Sequence, residues 1–174
     1  MQHATSADVE ALAELEKLCF PPQEAASEDQ LRERVARYGN HFYLLYEGER
    51  LVSFVDGPVV EETDLKDEMF SDPTFHTEDG AWQMIFGVNT HPDYRRRGLA
   101  SRLIREMVRE SREQGRKGIV LTCKVEKIPF YARLGFHDEG VSGSEHGGAL
   151  WHQMRLQFEP SSPESEGTMP CRTK

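Results

Sequence analysis

The chain has 174 residues, a formal net charge of −9 and a hydrophobic content of 37%. At roughly 150 residues per domain this length predicts one domain with a tail, and the acidic balance argues against a general nucleic-acid binder. No stretch approaches the roughly 18 apolar residues of a membrane span, and no charged-then-apolar start suggests a signal peptide. The three cysteines lie far apart without a Cys-x-x-Cys pair, so they predict neither a disulfide framework nor a metal site. We therefore expect a cytoplasmic domain with no metal, no membrane association and no nucleic-acid partner.

Two helices are predicted first. Val9, Leu12, Leu15 and Leu18 recur at helical spacing over residues 9–20, and two consecutive prolines follow. A second helix runs from Ser27 to Gly39, with Leu31 and Val35 on its buried side.

A hairpin and a long acidic segment come next. Residues 42–46 and 51–55 are predicted strands joined by a short turn, and Val59-Val60 resume the pairing. Residues 61–80 contain little sustained periodicity beyond one helical turn around 65–70. Long excursions of this kind often serve as binding loops or lids.

The second half of the chain predicts a strand–helix–strand unit. Residues 81–88 form a strand broken by Gly87, a helix runs from Leu99 to Gly115, and residues 119–121 form a buried strand. Such a unit is expected to be parallel and right-handed. A short helix (126–134), a strand beginning at Phe136 and a last strand (150–158) follow. The predicted domain is therefore 1–158, and residues 159–174, rich in Pro, Ser, Glu and Gly, form a predicted disordered tail.

The charge is distributed unevenly. Between Arg95 and Lys117 nine basic residues stand against three acidic ones, and between Glu61 and Asp79 eight acidic residues stand against Lys66 alone. An acidic protein with one basic segment favours a bound anion at that segment over a general affinity for polyanions.

The strongest chemical signal is the segment Arg95-Arg96-Arg97-Gly98-Leu99-Ala100, between a strand and the first turn of an amphipathic helix. Free backbone N–H groups at a helix start bind phosphate, and Gly98 lets the backbone approach a ligand closely. The alternative is a solvated run of charge. Three cations at a helix N-terminus oppose the helix dipole, however, and a bound anion relieves that penalty.

Two motifs resemble a known family. Arg95, Gly98 and Ala100 match the pattern R-x-x-G-x-[G/A], and residues 128–136 resemble P-F-Y-x-x-x-G-F. At this spacing they resemble the GNAT acetyltransferase superfamily over about residues 1–158. Within it, Phe20–Ser27 and Leu121–Cys123 are most similar to the arylalkylamine N-acetyltransferase branch.

The resemblance implies an α+β fold whose mixed, mostly antiparallel seven-stranded sheet is splayed at its central parallel pair and flanked by about four helices. Acetyl-CoA would enter between the strand ending at Thr90 and the strand 119–123. Its pyrophosphate would bind backbone amides of residues 96–101, and its pantetheine arm would pair with the strand edge at 88–90. The implied cofactor residues are Val88, Asn89, Thr90, Arg95, Arg96, Arg97, Gly98, Leu99, Ala100, Ser101 and Tyr131.

Amine acetylation needs a neutral amine, a polarised thioester carbonyl and a proton for the departing thiolate. By the resemblance Tyr131 is the acid that supplies this proton, and a backbone N–H near Val88 polarises the carbonyl. The alternative for Tyr131 is an aromatic residue that packs the short helix, a task open to Phe130 as well.

The general base departs from the arylalkylamine pattern. That branch carries two histidines on the strand before the R-x-x-G-x-[G/A] motif, and the matching positions here are Met84 and Phe86. Lys124 stands where many family members place an asparagine that contacts the cofactor. The candidate replacements for the base are Glu61, Glu62, His76 and His146.

Two interpretations of the acidic segment stay open. It is either a solvated loop or a lid whose carboxylates attract a cationic amine, with Phe70, Phe75 and Trp82 favouring an apolar or aromatic one.

The predicted function is acetyl transfer from acetyl-CoA to the primary amine of a small molecule. Acetylation of a protein N-terminus or lysine, and a non-catalytic acyl-CoA-binding module, are the alternatives. The oligomeric state stays open between monomer and homodimer.

Overall fold

Five α-helices and eight β-strands make up residues 1–159, the part of the chain that the computed structural model describes. The helices are α1 (Val9–Cys19), α2 (Glu28–Tyr38), α3 (Glu68–Ser71), α4 (Leu99–Glu113) and α5 (Ile128–Ala132). The strands are β1 (Phe42–Glu47), β2 (Arg50–Asp56), β3 (Val59–Val60), β4 (Trp82–Ile85), β5 (Gly87–Thr90), β6 (Gly118–Cys123), β7 (His137–Val141) and β8 (His152–Gln157). Within residues 1–159 no helix has the length and apolarity needed to cross a membrane. The tail predicted from residue 159 falls, apart from Glu159, outside the described residues.

The strands form two sheets, ordered β1-β2-β5 and β3-β4-β6-β8-β7. Every strand pair is antiparallel except β4 with β6, which confirms the parallel strand–helix–strand unit. The strand predicted over 81–88 with a break at Gly87 is interrupted one residue earlier, at Phe86, so that β4 joins the larger sheet and β5 the smaller one. The mixed, splayed α+β fold is therefore confirmed, with eight strands rather than seven.

The gap between β5 and β6 follows from this interruption. Up to Ile85 the chain pairs with Leu121 of β6, whereas Gly87–Thr90 pair with β2. Since β5 is the last strand of its sheet in the described chain, its second edge faces an open wedge. Val59-Val60 differ from the prediction in pairing with β4, not with the hairpin.

Helix α4 packs by the predicted stripe, with Leu103, Ile104 and Met107 fully buried against the sheets. Helix α1 departs from its predicted stripe at the C-terminal end. Leu18 is 54% exposed, and Glu16 takes the buried position at 5% exposure. At this end of the helix the side chain that faces inward is therefore the carboxylate of Glu16 and not Leu18.

The acidic segment 61–80 is tied to the domain through its own carboxylates. Asp67 accepts hydrogen bonds from Ser144 and from the backbone of Glu145. Asp64 pairs with Arg155 at 2.7 Å, and Glu78 pairs with His41 at 3.0 Å. These contacts give the segment a structural role.

Candidate active site

The wedge between β5 and β6 opens into a cavity of about 1190 Å³. Nine of the eleven cofactor residues expected from the sequence line it: Val88, Thr90, Arg95, Arg96, Gly98, Leu99, Ala100, Ser101 and Tyr131. Asn89 and Arg97 do not. Asn89 is fully buried, with its side-chain amide beside Gly87 and the Glu16 carboxylate, and Arg97 donates to the backbone oxygen of Asp93 and lies against the ring of Tyr94.

The loop before α4 has an unusual backbone. Arg96 adopts φ +62°, the only positive φ of a non-glycine residue in the described chain, and Gly98 adopts φ +75°. A Cβ built on Gly98 would meet nothing within 4 Å, so glycine is needed there for its conformation and not for space. Strained backbone of this kind clusters at ligand-binding loops.

Helix α4 begins immediately after Gly98, whose carbonyl accepts the first helical bond from the Arg102 N–H at 3.0 Å. The N–H groups of Leu99, Ala100 and Ser101 precede that bond and have no intrahelical acceptor. They border the cavity and carry the partial positive charge of the helix start. The loop and first turn (residues 95–101, the anion loop) therefore suit a phosphate group.

The edge of β5 presents backbone groups to the same cavity. The N–H of His91 donates to the Val52 carbonyl at 2.9 Å, and ladder bonds recur at every second residue of an antiparallel pair. Val88 and Thr90 therefore direct their backbone groups away from β2 and into the wedge. The Thr90 carbonyl there accepts from Arg95 Nε at 3.2 Å and from the Cys19 thiol at 3.4 Å.

Tyr131 reaches the cavity from α5. It packs edge-on against Phe130 and Phe136, with ring centroids 5.0 and 5.9 Å away. Burial, with a smaller contribution from Cys123, raises the pKa of its phenol well above the usual range. The hydroxyl therefore keeps its proton at neutral pH, as a proton donor must.

The candidate bases differ in whether they can accept a proton and in whether they line the cavity. Met84 is fully buried in the core and Phe86 lines the cavity, and neither accepts a proton. Of the four proposed replacements only His146 lines the cavity. Glu61 and Glu62 lie outside its lining, as does His76.

Four segments of the chain meet in one part of the cavity wall. His146 donates from Nε2 to the Glu24 carbonyl at 3.1 Å and stacks on Phe70 with centroids 4.5 Å apart. The Glu24 carboxylate pairs with Lys124 at 2.7 Å, and Lys124 lies over the ring of Trp151. These five residues form what we call the roof. Among them the sequence suggested His146 as a candidate base and Phe70 as an aromatic contact for the amine.

A buried charged cluster lies at the inner end, and sequence reasoning missed it. Arg34 approaches Asp56 at 3.4 Å and donates to the Phe70 carbonyl at 2.7 Å. Burial raises the pKa of Asp56 to about 6 against the opposing effect of Arg34. Burial, reinforced by Asp56, raises the pKa of Glu16 to about 7, although the Ala26 N–H and Arg34 lower it. The sequence did contain a signal for this cluster: a charged residue stands on the otherwise apolar face of each helix, Glu16 in α1 and Arg34 in α2.

A second cluster, His41, His76 and Glu78, has metal-ligand composition, with its ligand atoms within 4.8 Å of one another. The Val59 N–H donates to His76 Nδ1 at 3.1 Å, so neutral His76 carries its proton on Nε2 and donates it toward Glu78. The Arg116 guanidinium also lies 3.5 Å from the Glu78 carboxylate. These contacts suit a hydrogen-bonded latch and not a metal centre.

A mixed sheet splayed at its parallel pair, with a phosphate-binding helix start at the wedge, defines the fold of acyl-CoA N-acyltransferases. Residues 9–136 match the model of the Acetyltransferase (GNAT) family. The chain belongs to this family.

Solved structures agree with the fold. The loading GNATL domain of CurA from Lyngbya majuscula superposes with a TM-score of 0.78 at 16% identity, covering 90% of this chain and 96% of that one. The GphF GNAT-like decarboxylase in complex with isobutyryl-CoA gives 0.77 at 17%, covering 90% and 97%. The ribosomal-protein-S18-alanine N-acetyltransferase from Escherichia coli gives 0.67 at 16%, covering 94% and 96%. Identities this low establish the shared fold alone.

Proposed function

We propose that this GNAT acetyltransferase moves the acetyl group of acetyl-CoA directly to the primary amine of a small molecule, within a ternary complex. One observation carries the proposal. The anion loop, the free edge of β5 and the Tyr131 hydroxyl-bearing ring border a single cavity of about 1190 Å³. The three parts correspond to the phosphates, the pantetheine arm and the thioester of one cofactor.

Each part has a separate task. The free N–H groups at the start of α4 bind the pyrophosphate, with Arg95 and Arg96 adding attraction. The Val88 carbonyl and the Thr90 N–H bind the amide-containing arm as a strand partner would. Acetyl-CoA supplies the activated acyl group and a thiolate as leaving group.

The chemistry at the thioester then needs two protein groups. The Val88 N–H stabilises the negative charge that develops on the carbonyl oxygen. Tyr131 donates its proton to the departing thiolate, which its raised pKa allows.

The roof supports a small acceptor over a protein chain. Contacts from the α1–α2 loop, from Phe70 and from the β7–β8 loop converge on His146. A peptide would require an open groove at this place. The ring of Phe86 adds an apolar wall, so an amine with an aromatic or apolar substituent, such as an arylalkylamine, fits best.

A non-catalytic acyl-CoA-binding module is the second candidate, favoured by one observation. Met84 and Phe86 occupy the strand positions at which the arylalkylamine branch has its histidines, and neither titrates.

Thiol release distinguishes the candidates. The protein is mixed with acetyl-CoA, a thiol-detecting dye and aryl, aliphatic and polyamine substrates, with peptides bearing free N-termini as the comparison set. The proposal predicts thiol release that depends on a small amine. CoA binding without such release would favour the binding module, release only with peptides would favour a protein acceptor, and absence of CoA binding would contradict both candidates.

A further inference from the structure

One carboxylate in the cavity wall has no part in the chemistry described so far. Glu16 lies in the last turn of α1 and is only 5% exposed, yet it borders the cavity together with Phe86, Gly87 and Val88. An acidic side chain at such a place is costly to bury unless it has a partner.

Its position relative to β5 is specific. A methyl group built on Gly87 would lie 2.7 Å from Asp56 Oδ1 and 3.8 Å from Glu16 Oε2. The Ala26 N–H holds the other oxygen, Oε1, at 3.0 Å. The carboxylate is thus fixed beside the residue that precedes Val88, whose N–H the proposed function assigns to the thioester carbonyl.

The charges around Glu16 favour a cation. Asp56 and Glu16 together carry two negative charges when ionised, and Arg34 offsets one of them. The Cys19 thiol also lies within electrostatic range of Glu16. An ammonium group entering the cavity would compensate the remaining negative charge.

We infer that Glu16 is the general base of the acetyl transfer, and that the acceptor enters the cavity as an ammonium ion. The inference rests on the proposed function and names the proton acceptor that it lacks. Burial raises the pKa of Glu16 to about 7, which is suited to proton exchange near neutral pH.

The Glu16 carboxylate takes one proton from the ammonium, and the freed nitrogen lone pair forms the C–N bond to the acetyl carbon. The C–S bond breaks, and its electron pair leaves with the thiolate, which takes the Tyr131 proton. The nitrogen loses its second proton to the Tyr131 phenolate, and Glu16 releases its proton to solvent.

His146 is the competing base, and its contacts leave Nδ1 as the nitrogen that could accept a proton. Its Nε2–H is used by the Glu24 carbonyl, and one ring face is stacked on Phe70. These contacts hold the roof together.

Three variants separate these roles. Glu16→Gln keeps an oxygen for the Ala26 N–H but cannot take a proton, and Glu14→Gln removes an exposed carboxylate from the same helix. His146→Gln keeps a donor for the Glu24 carbonyl without titrating. For each variant kcat is measured from pH 5.5 to 9 with the best amine of the panel, alongside CoA affinity.

We expect Glu16→Gln to lower kcat at pH 7 by about 10²-fold or more and to abolish the acid limb of the profile, with CoA affinity unchanged. Glu14→Gln is expected to match the unmodified protein, and His146→Gln to keep the acid limb. A full acid limb in Glu16→Gln, or its loss in His146→Gln alone, would overturn the assignment. If the unmodified protein releases no thiol with any amine, the proposed function fails, and this inference with it.

Stability provides a check on folding. Because burial disfavours the ionised carboxylate, Glu16→Gln should melt no lower than the unmodified protein at pH 8. Should it fail to fold, Glu16→Asp is used, which keeps a titrating group but withdraws it by one methylene. A lower kcat with a displaced acid limb would support the assignment, and an unchanged profile would contradict it.

Discussion

At the scale of single residues, two glycines provide a matched test of the anion loop. Gly98 and Gly115 stand at opposite ends of α4, with φ +75° and +74°, and a Cβ on either would meet nothing within 4 Å. Alanine at either position costs about 1–2 kcal/mol because an L-residue disfavours this conformation.

We therefore expect Gly98→Ala and Gly115→Ala to lower the free energy of unfolding by similar amounts in urea titrations. Only Gly98 borders the cavity, so only Gly98→Ala should weaken CoA binding measured by calorimetry. Equal affinities for CoA in the two variants would contradict the role of the loop.

Tyr131→Phe tests the proton donor. Removing the hydroxyl should lower kcat by about 10²-fold while the KM for acetyl-CoA stays within a few-fold, because the ring and its packing remain. Tyr46→Phe removes a hydroxyl bound to Asp8, away from the cavity lining, and should leave kcat unchanged. If both variants retain full kcat, Tyr131 is not the donor.

At the scale of elements, the latch formed by His41, His76 and Glu78 links the acidic segment to β3 and to the end of α2. Burial, together with His41, lowers the pKa of His76 to about 4. The unfolded chain therefore binds a proton at His76 more readily than the folded one. As a result, stability is lost as the pH falls from about 6.5 to about 4.

His76→Asn tests this dependence, since its amide oxygen can accept from the Val59 N–H but does not titrate. We expect the unfolding free energy of this variant, measured in urea between pH 4 and 7, to decline less steeply than that of the unmodified protein. His137→Asn, at an exposed histidine, is the control and should decline as the unmodified protein does. Parallel curves for all three proteins would contradict the assignment.

The elements also show which features a sequence predicts. Regular periodicity located α2 and α4 closely, and Gly115 ended its helix as expected. The break predicted at Gly87 falls one residue earlier, at Phe86, and its consequence was not foreseen, because only the competition of two sheets for the chain separates β4 from β5. Glu16 was missed because its burial depends on Arg34 and Asp56, which are distant in sequence. The anion loop is recognisable from a sequence motif because it binds through its own backbone. The cluster of Glu16, Arg34 and Asp56 is not, because its residues come from three elements that only folding brings together.

At the scale of the whole molecule, the basic segment is less uniform than its composition suggests. Of its nine cations, Arg95, Arg96 and Arg105 line the cavity. Arg109 pairs with acidic neighbours on α4, and Arg116 is buried against Glu78. The positive charge at the cavity therefore comes from these three arginines together with Arg34, Lys124, Lys127 and Arg133, which also line it, within a protein of net charge −9.

That arrangement predicts a salt dependence specific to phosphates. Raising the salt from 50 mM to 500 mM should weaken CoA binding by about tenfold, because screening shortens the reach of the arginines. S-acetylpantetheine, which lacks the phosphates, is the matched ligand and should bind with little salt dependence. Equal salt effects on both ligands would show that the arginines do not act on the phosphates.

The unpaired edge of β5 has a consequence for solubility. An exposed strand edge normally recruits strands from other chains and promotes aggregation. Here the edge lies at the bottom of a cleft with β6 on its far side, so a flexible linear ligand can reach it but the flat edge of another sheet cannot. The splayed sheet thus keeps an unpaired strand edge accessible to a ligand without exposing it to other copies of the protein.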